Sequence, residues 1–443
     1  MNKGKKLLTE RFFLSWAGER TSATVRMTLK MKDAIDGTLL SEAVEATRRR
    51  YPYYQVKIGI KKDENNSEYF VYDDNSLPWV VKMGQQAAIL MSKESNLHLL
   101  SFCYWDDCIA IDFFHGLTDG TGGYNLLRTL LYEYCRRRYD NTLNREGVRV
   151  EGDTIAPEEW TDPASLPKPD NLNPLPIPEL PKSINLITQA KTGLNDGMET
   201  VNILVDETQM MQYVSNHDTS PATLVTLFLS RAIAKLHPNT NEGVPIITLA
   251  INRRPALGCP LAGQTMMGGL FIALRNETRY MDIDFQQTVF RSLVAFQSNR
   301  DNVAETFWKS NEQMDMLDRI PTVEGRHQAM ASAYLRIQNT ASAAVSYVGK
   351  ACLGEAEKYV CALNTEVDSL FAITVEMSAV GGTFCINWMQ RCASDLYLDA
   401  FLDEFRQAGL ETRIDSRHPL RVAKVADYRH TAKLYPQTFP IIK

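Results

Sequence analysis

The 443-residue chain lacks what export, membrane insertion or nucleic-acid binding would require. It has no run of eighteen uncharged apolar residues, so no membrane span is expected. Early lysines lead into Leu7-Leu8, but Glu10 and Arg11 break that run too soon for a signal peptide. A cytoplasmic protein is the expectation. With a net charge of −5 there is no basic footprint for nucleic acid. The eight cysteines form no C-x-x-C pair and none sits two or three residues from a histidine. Reduced, mostly buried thiols are expected, and no metal site. The glycines of Gly120-Thr-Gly-Gly123 lack the G-K-[ST] ending of a phosphate loop, so turn geometry is their expected role. No G-x-S-x-G elbow is present, which removes the usual serine nucleophile of acyl transfer.

What is present is a cluster, His115-Gly-Leu-Thr-Asp119-Gly120, after the apolar run Cys108-Ile-Ala-Ile-Asp-Phe-Phe114. Seven histidines, with Asp then Gly at the required offsets, would yield about 0.02 such hits by chance. A histidine delivered by a strand end, flanked by glycines, suits a positioned base, because imidazole moves protons near neutral pH. His217, His237, His327, His418 and His430 lie in loops or polar context and suggest no chemistry.

Length favours two domains. Alternation over Thr24–Met31 predicts a strand, and a helix follows through Leu39, Leu40, Ala43 and Val44 to Arg50, with Thr38 as its cap. Further strands are expected at 55–60, 68–72, 97–104 and 108–114, then a helix from Gly123 to Arg138. Eight of the 19 prolines fall between 151 and 181, where the chain must run extended. Residues 1–150 and 183–443 are therefore read as two α/β domains joined by 151–182. In the second, strands are expected at 199–205, 245–251 and 343–349, with a glycine-bounded segment over 266–274. A hairpin is expected around Gly381-Gly382. Helices are expected after the Ser220 cap with Pro221 at the first helical position, over 285–296, and after Ser394. Met266-Met267 and Phe307-Trp308 read as core rather than pocket lining.

The His115–Gly120 motif, H-x-x-x-D-G, resembles the signature of the CoA-dependent acyltransferase superfamily. That group includes chloramphenicol acetyltransferase, plant hydroxycinnamoyl-type transferases, bacterial alcohol acetyltransferases and peptide-synthetase condensation domains. Supporting segments occur in the expected order: Ile35-Asp-Gly-Thr-Leu-Leu40 before Arg50-Tyr-Pro-Tyr53, then Ala250-Ile-Asn252-Arg-Arg254-Pro255, then Ser346-Tyr-Val-Gly349. The resemblance implies two chloramphenicol-acetyltransferase-like domains, with mixed sheets flanked by helices and a channel between them. It implies acyl-CoA as co-substrate, no permanently bound cofactor, and a small-molecule alcohol or amine as acceptor. An acyl carrier protein as donor, or a non-catalytic acyl- or partner-binding relative, are the alternatives.

In this reading His115 is the general base, and Asp119 is structural, paired with Arg254 or, second, Arg253. Gly116 and Gly120 shape the loop, and Ser346 faces the oxyanion or pocket. Two departures are visible. Phe114 stands where condensation domains carry a second histidine, and Ser346-Tyr-Val-Gly-Lys350 replaces the D-F-G-W-G of plant enzymes. The first weakens the peptide-synthetase reading and narrows the donor toward CoA; the second argues against a plant-type assignment.

Overall fold

The two runs that lead toward the histidine, Thr24–Met31 and Cys108–Phe114, lie side by side as antiparallel neighbours, Thr24 opposite Phe114 and Lys30 opposite Cys108. They belong to a computed structural model that describes residues 5–18, 21–187 and 193–429. His430 lies outside the described residues.

In chain order the first half holds β1 (Lys5–Lys6), α1 (Arg11–Trp16), β2 (Thr24–Met31), α2 (Gly37–Arg50), β3 (Val56–Lys62) and β4 (Glu68–Asp74). It continues with β5 (Val81–Met83), β6 (Leu100–Trp105), β7 (Cys108–Phe114) and α3 (Gly120–Arg138). The second half opens with β8 (Leu194–Asp206), α4 (Glu207–Asn216), α5 (Pro221–Leu236), β9 (Ile246–Asn252), α6 (Arg254–Leu257) and β10 (Met267–Ala273). Helices α7 (Ile283–Gln297), α8 (Arg300–Leu317) and α9 (Val323–Thr340) follow. The chain then forms β11 (Ala343–Lys350), β12 (Val360–Val367), β13 (Ile373–Val380), β14 (Thr383–Cys392), α10 (Leu396–Gln407) and β15 (Arg413–Pro419).

Two mixed sheets with their helices make two bodies. The larger runs β10-β9-β11-β13-β14-β8-β15 and the smaller β12-β2-β7-β6-β5, with a three-stranded β1-β4-β3 sheet beside the latter. Each has its own apolar centre. Ile109, Ile111, Phe113, Leu126, Leu127 and Leu130 pack in the first, and Ile203, Phe228, Ile373, Ile386, Trp388 and Phe401 in the second. Among the described residues no helix is long and apolar enough to cross a membrane.

The halves are not separate along the chain. Strand β12, from the second half, closes the edge of the first half's sheet by pairing with β2, Leu363 opposite Leu29 and Val367 opposite Val25. Residues after β15 also return: the Ala423 N–H donates to the Asp112 carboxylate at 2.8 Å, and Tyr428 is buried in the first core. The expected division at 151–182 therefore leaves β12 and this return in the wrong half. Nothing local in a β12 sequence says which of two sheets it will join.

Local chemistry explains where several helix ends differ from expectation. Helix α2 is capped by Asp36, whose carboxylate accepts from the Thr38 and Leu39 N–H groups, not by Thr38. Helix α3 starts at Gly120 rather than Gly123, so Gly120, Gly122 and Gly123 are helical residues of its first turn and not a turn before it. Helix α10 begins after Asp395 with no side-chain cap, and Ser394 accepts from the Leu396 N–H at 3.4 Å without closing one. Ser220 does cap α5, accepting from the Thr223 N–H. Strand β8 extends five residues upstream of its expected start, and β12, β15, α4, α8 and α9 carry too little apolar periodicity to have been expected.

Buried histidines carry a pH signature. The His98 ring lies fully buried against the Leu77 carbonyl at 2.8 Å, and burial pushes its pKa down to about 4. The unfolded chain takes up that proton near pH 6.5, the folded chain only near 4, so the unfolded state binds more protons between these values. Stability therefore falls as pH drops through that window. His115 and His327, also lowered by burial, add with the same sign. The expected result is that the urea midpoint of His98→Gln falls less, or rises more, between pH 7 and pH 5 than that of wild type. The same pH dependence in both proteins would contradict it.

Candidate active site

Strand β7 ends at Phe114, and the next backbone N–H, that of His115, donates to the Ala23 carbonyl at 2.8 Å, extending the pairing with β2 by one residue. The imidazole is half-buried and lies flat on Phe13, ring centroids 4.7 Å apart and 8° from parallel. Thr265, on the approach to β10, places its hydroxyl 3.5 Å from Nδ1, a long contact. Burial holds the imidazole below its ordinary pKa, against the raising pull of the His115 and Thr118 carbonyls and of Asp119. The ring is therefore kept neutral at physiological pH.

Asp119 does not orient this ring. Its Oδ1 accepts from the Thr121 and Gly122 N–H groups at 3.1 and 3.3 Å, which caps α3. Arg254 meets it side-on, Nη1 to Oδ2 at 2.9 Å and Nη2 to Oδ1 at 3.0 Å, and the Met266 N–H adds a bond to Oδ2 at 2.7 Å. Of the two arginines expected to compete for Asp119, Arg254 is the partner. It begins the short helix α6 rather than ending a strand. Arg253 instead lies 5.8 Å from the Phe307 ring centroid, and burial lowers its pKa to about 10.

The loop between β7 and α3 is fastened to the second body at further points. The Thr118 hydroxyl donates to the Gly263 carbonyl at 2.7 Å, and Tyr54 donates to the same carbonyl at 2.5 Å. Gly120 serves close approach: a side-chain carbon there would collide with Val348 of β11. Neither Gly116 nor Gly120 has a positive φ, so tight packing is their role rather than unusual backbone. At Gly116 the added carbon would strike the ring of Phe114, which is fully buried in the first core. Ser346, on β11, donates to Glu376 across the β11–β13 pair.

Sequence reasoning missed Phe13, Thr118, Tyr54, Thr265 and Glu376. Thr118 sits inside the motif but only its contact with Gly263 gives it a role, and the others lie far off in sequence. Met266 is core, packed with Phe307, while Met267 is exposed. His237, expected in a polar loop context, is fully buried between Glu242 and Tyr397.

No protein-family model matches the chain, and no curated protein does. Solved structures do. The condensation domain from the monacolin K polyketide synthase MokA is 12% identical with a TM-score of 0.54, over 91% of this chain and 96% of that one. Polyketide synthase associated protein 5 from Mycobacterium tuberculosis is 13% identical with a TM-score of 0.55, over 91% and 97%. TRI101 of F. sporotrichioides, complexed with coenzyme A and T-2, is 10% identical with a TM-score of 0.54, over 94% and 99%. The chain has the fold that these proteins share. It is the two-body α/β architecture expected from the motifs, with the His115 loop where the bodies meet.

Removing Asp119 from this setting strands a buried guanidinium. Asp119→Ala is expected to cost about 3–5 kcal/mol in urea denaturation. The double variant with Arg254→Met should recover part of that loss, because no unpaired charge remains. A single-variant loss under about 1 kcal/mol would show the pair to be solvent-screened instead.

Proposed function

We propose that the protein moves an acyl group from acyl-CoA to a hydroxyl or amine of a small-molecule acceptor, with His115 as general base. The observation that carries this reading is the imidazole at the end of β7, where the two bodies meet, with Asp119 committed to Arg254 and the α3 cap rather than to the ring; burial favours its neutral form. A ring nitrogen that donates to a carbonyl leaves its lone pair on the other nitrogen, ready to accept a proton. The acceptor's proton passes to that nitrogen as its oxygen or nitrogen attacks the thioester carbonyl. When the intermediate collapses the carbon–sulfur bond breaks, and the CoA thiolate takes the same proton from the imidazolium. No covalent acyl-enzyme forms, and acyl-CoA is a co-substrate rather than a bound cofactor.

Support from the fold neighbours is twofold: TRI101 is complexed with coenzyme A, whereas MokA supplies a condensation domain. Residues 1–150 bring the base, and residues 183–443, joined through 151–182, bring Arg254 and Ser346. Asp119, Gly116, Gly120 and Arg254 hold the loop's shape, and Ser346 lines the acceptor side. The reaction is placed in the cytoplasm.

The test is thiol release from acetyl-CoA and longer acyl-CoAs with panels of alcohols and amines. Wild type should release thiol and His115→Ala should lose at least 100-fold of that rate, within the range of one general base. Release only from carrier-protein thioesters would replace CoA by a carrier as donor. Equal background in both proteins, despite acyl-CoA binding, would leave a binding module.

A second measurement reads the imidazole itself. Because burial lowers its pKa, the acid limb of kcat/KM should fall below pH 6.5, the ordinary histidine value. A limb above that value would mean that a cofacing charge, not burial, sets the base.

A further inference from the structure

Val348, which packs on Gly120 at the start of α3, lies two residues after Ser346 on β11, where the pairing with β13 shifts register. Opposite Ser346 on β13 stands Glu376, so both side chains rise from the sheet face that meets the His115 loop and α3. Glu376 is half-buried, and among the described residues it takes part in no ion pair. Ser346 donates to it.

The polar groups around Glu376 are occupied. On β14 its neighbour Asn387 gives both amide hydrogens away, to Asn202 and Asn364 at 2.8 Å each, and accepts from the Thr365 N–H. Thr374 donates to Ser369 at 2.7 Å, and Ser378 donates to the Leu363 carbonyl. Burial accordingly pushes the Glu376 carboxyl up to about 7, although the Ser346 bond pulls it down.

Across from this face is Tyr124 of α3, one helical turn beyond Gly120 and so on the same side of the helix. Tyr124 is 4% exposed and its hydroxyl has no hydrogen-bond partner. Burial raises its phenol, and the Glu376 charge adds to that shift. A buried carboxyl without a cation and a buried hydroxyl without a partner both carry a desolvation cost that a ligand can remove.

We propose that Glu376, Ser346 and Tyr124 form a recognition site for a primary ammonium group on the acceptor substrate. An ammonium offers three donors and no acceptor. The carboxylate, the serine oxygen and the tyrosine oxygen supply the three acceptors, and the ligand's charge supplies the missing counter-ion. An uncharged alcohol offers one donor and leaves the carboxylate unpaired. The acceptor class is thus an amino compound, with the ammonium held here while a second nucleophilic group meets His115. Its use as an acceptor rests on the acyltransferase reading, whereas binding at this site does not.

The test is carbon-13 NMR of protein carrying glutamate labelled at the carboxyl carbon, at pH 7, titrated with n-butylammonium chloride and separately with n-butanol. The Glu376 resonance is assigned by its loss in Glu376→Gln. If that variant does not fold, it is assigned by its shift in Ser346→Ala. The expected result is movement of this resonance toward the ionised position with the amine and not with the alcohol. In Tyr124→Phe, at least threefold more amine should be needed. The same response should persist in His115→Ala, where thiol release is lost. A response to amine in a protein that releases thiol from no acyl-CoA would keep the site and retire the acyltransferase reading. No movement with the amine, or equal movement with both probes, would overturn the site.

Discussion

The pairing of Asp119 with Arg254 is the constraint on which the site depends. Arg254 is 1% exposed, and each of its five N–H groups has an acceptor: Ala262, Gln264, Asn252 and the two oxygens of Asp119. Asp119 in turn accepts five hydrogen bonds, from Arg254, Thr121, Gly122 and Met266. A charge pair so enclosed offers no cheaper arrangement, because any movement leaves a charged group unpaired in a low dielectric. It joins the first helical turn of one body to the loop of the other, so the position of His115, four residues earlier, is set by both.

This explains why the aspartate of the motif is near the histidine yet pulls its pKa up only through space, without a hydrogen bond to the ring. Had the carboxylate faced the ring, it would have favoured the imidazolium and removed the base at neutral pH. Turned toward Arg254, it leaves the ring stacked on Phe13, where burial favours the neutral form. The second body also reaches into the first through β12, which makes their relative position a matter of sheet pairing as well as of one ion pair.

Much of this was legible in the residues. Strands β2, β7 and β9, the β13–β14 hairpin and helices α2, α5 and α7 follow from alternation, helical spacing and turn glycines. Gly381 and Gly382 indeed both have positive φ. The caps were less legible, since Asp36 and Thr38 are both good capping residues and only backbone geometry selects one. Helix α3 was expected three residues late, because glycines argue against helix until Asp119 caps them. Helices α8 and α9 were invisible because their faces are polar on most sides.

By itself, the sequence determined the motif and the α/β character of both halves, while the pairing of Asp119 with Arg254 or Arg253 came only with the family resemblance. The first two rest on local patterning, where side-chain period and residue chemistry are read within a few residues. Only the tertiary structure decided between the two arginines, moved β12 into the first sheet, stacked Phe13 on His115, and set Glu376 opposite Ser346. Those outcomes depend on which surfaces are buried together, and contacts between residues 102 to 342 positions apart leave no local trace in composition or period.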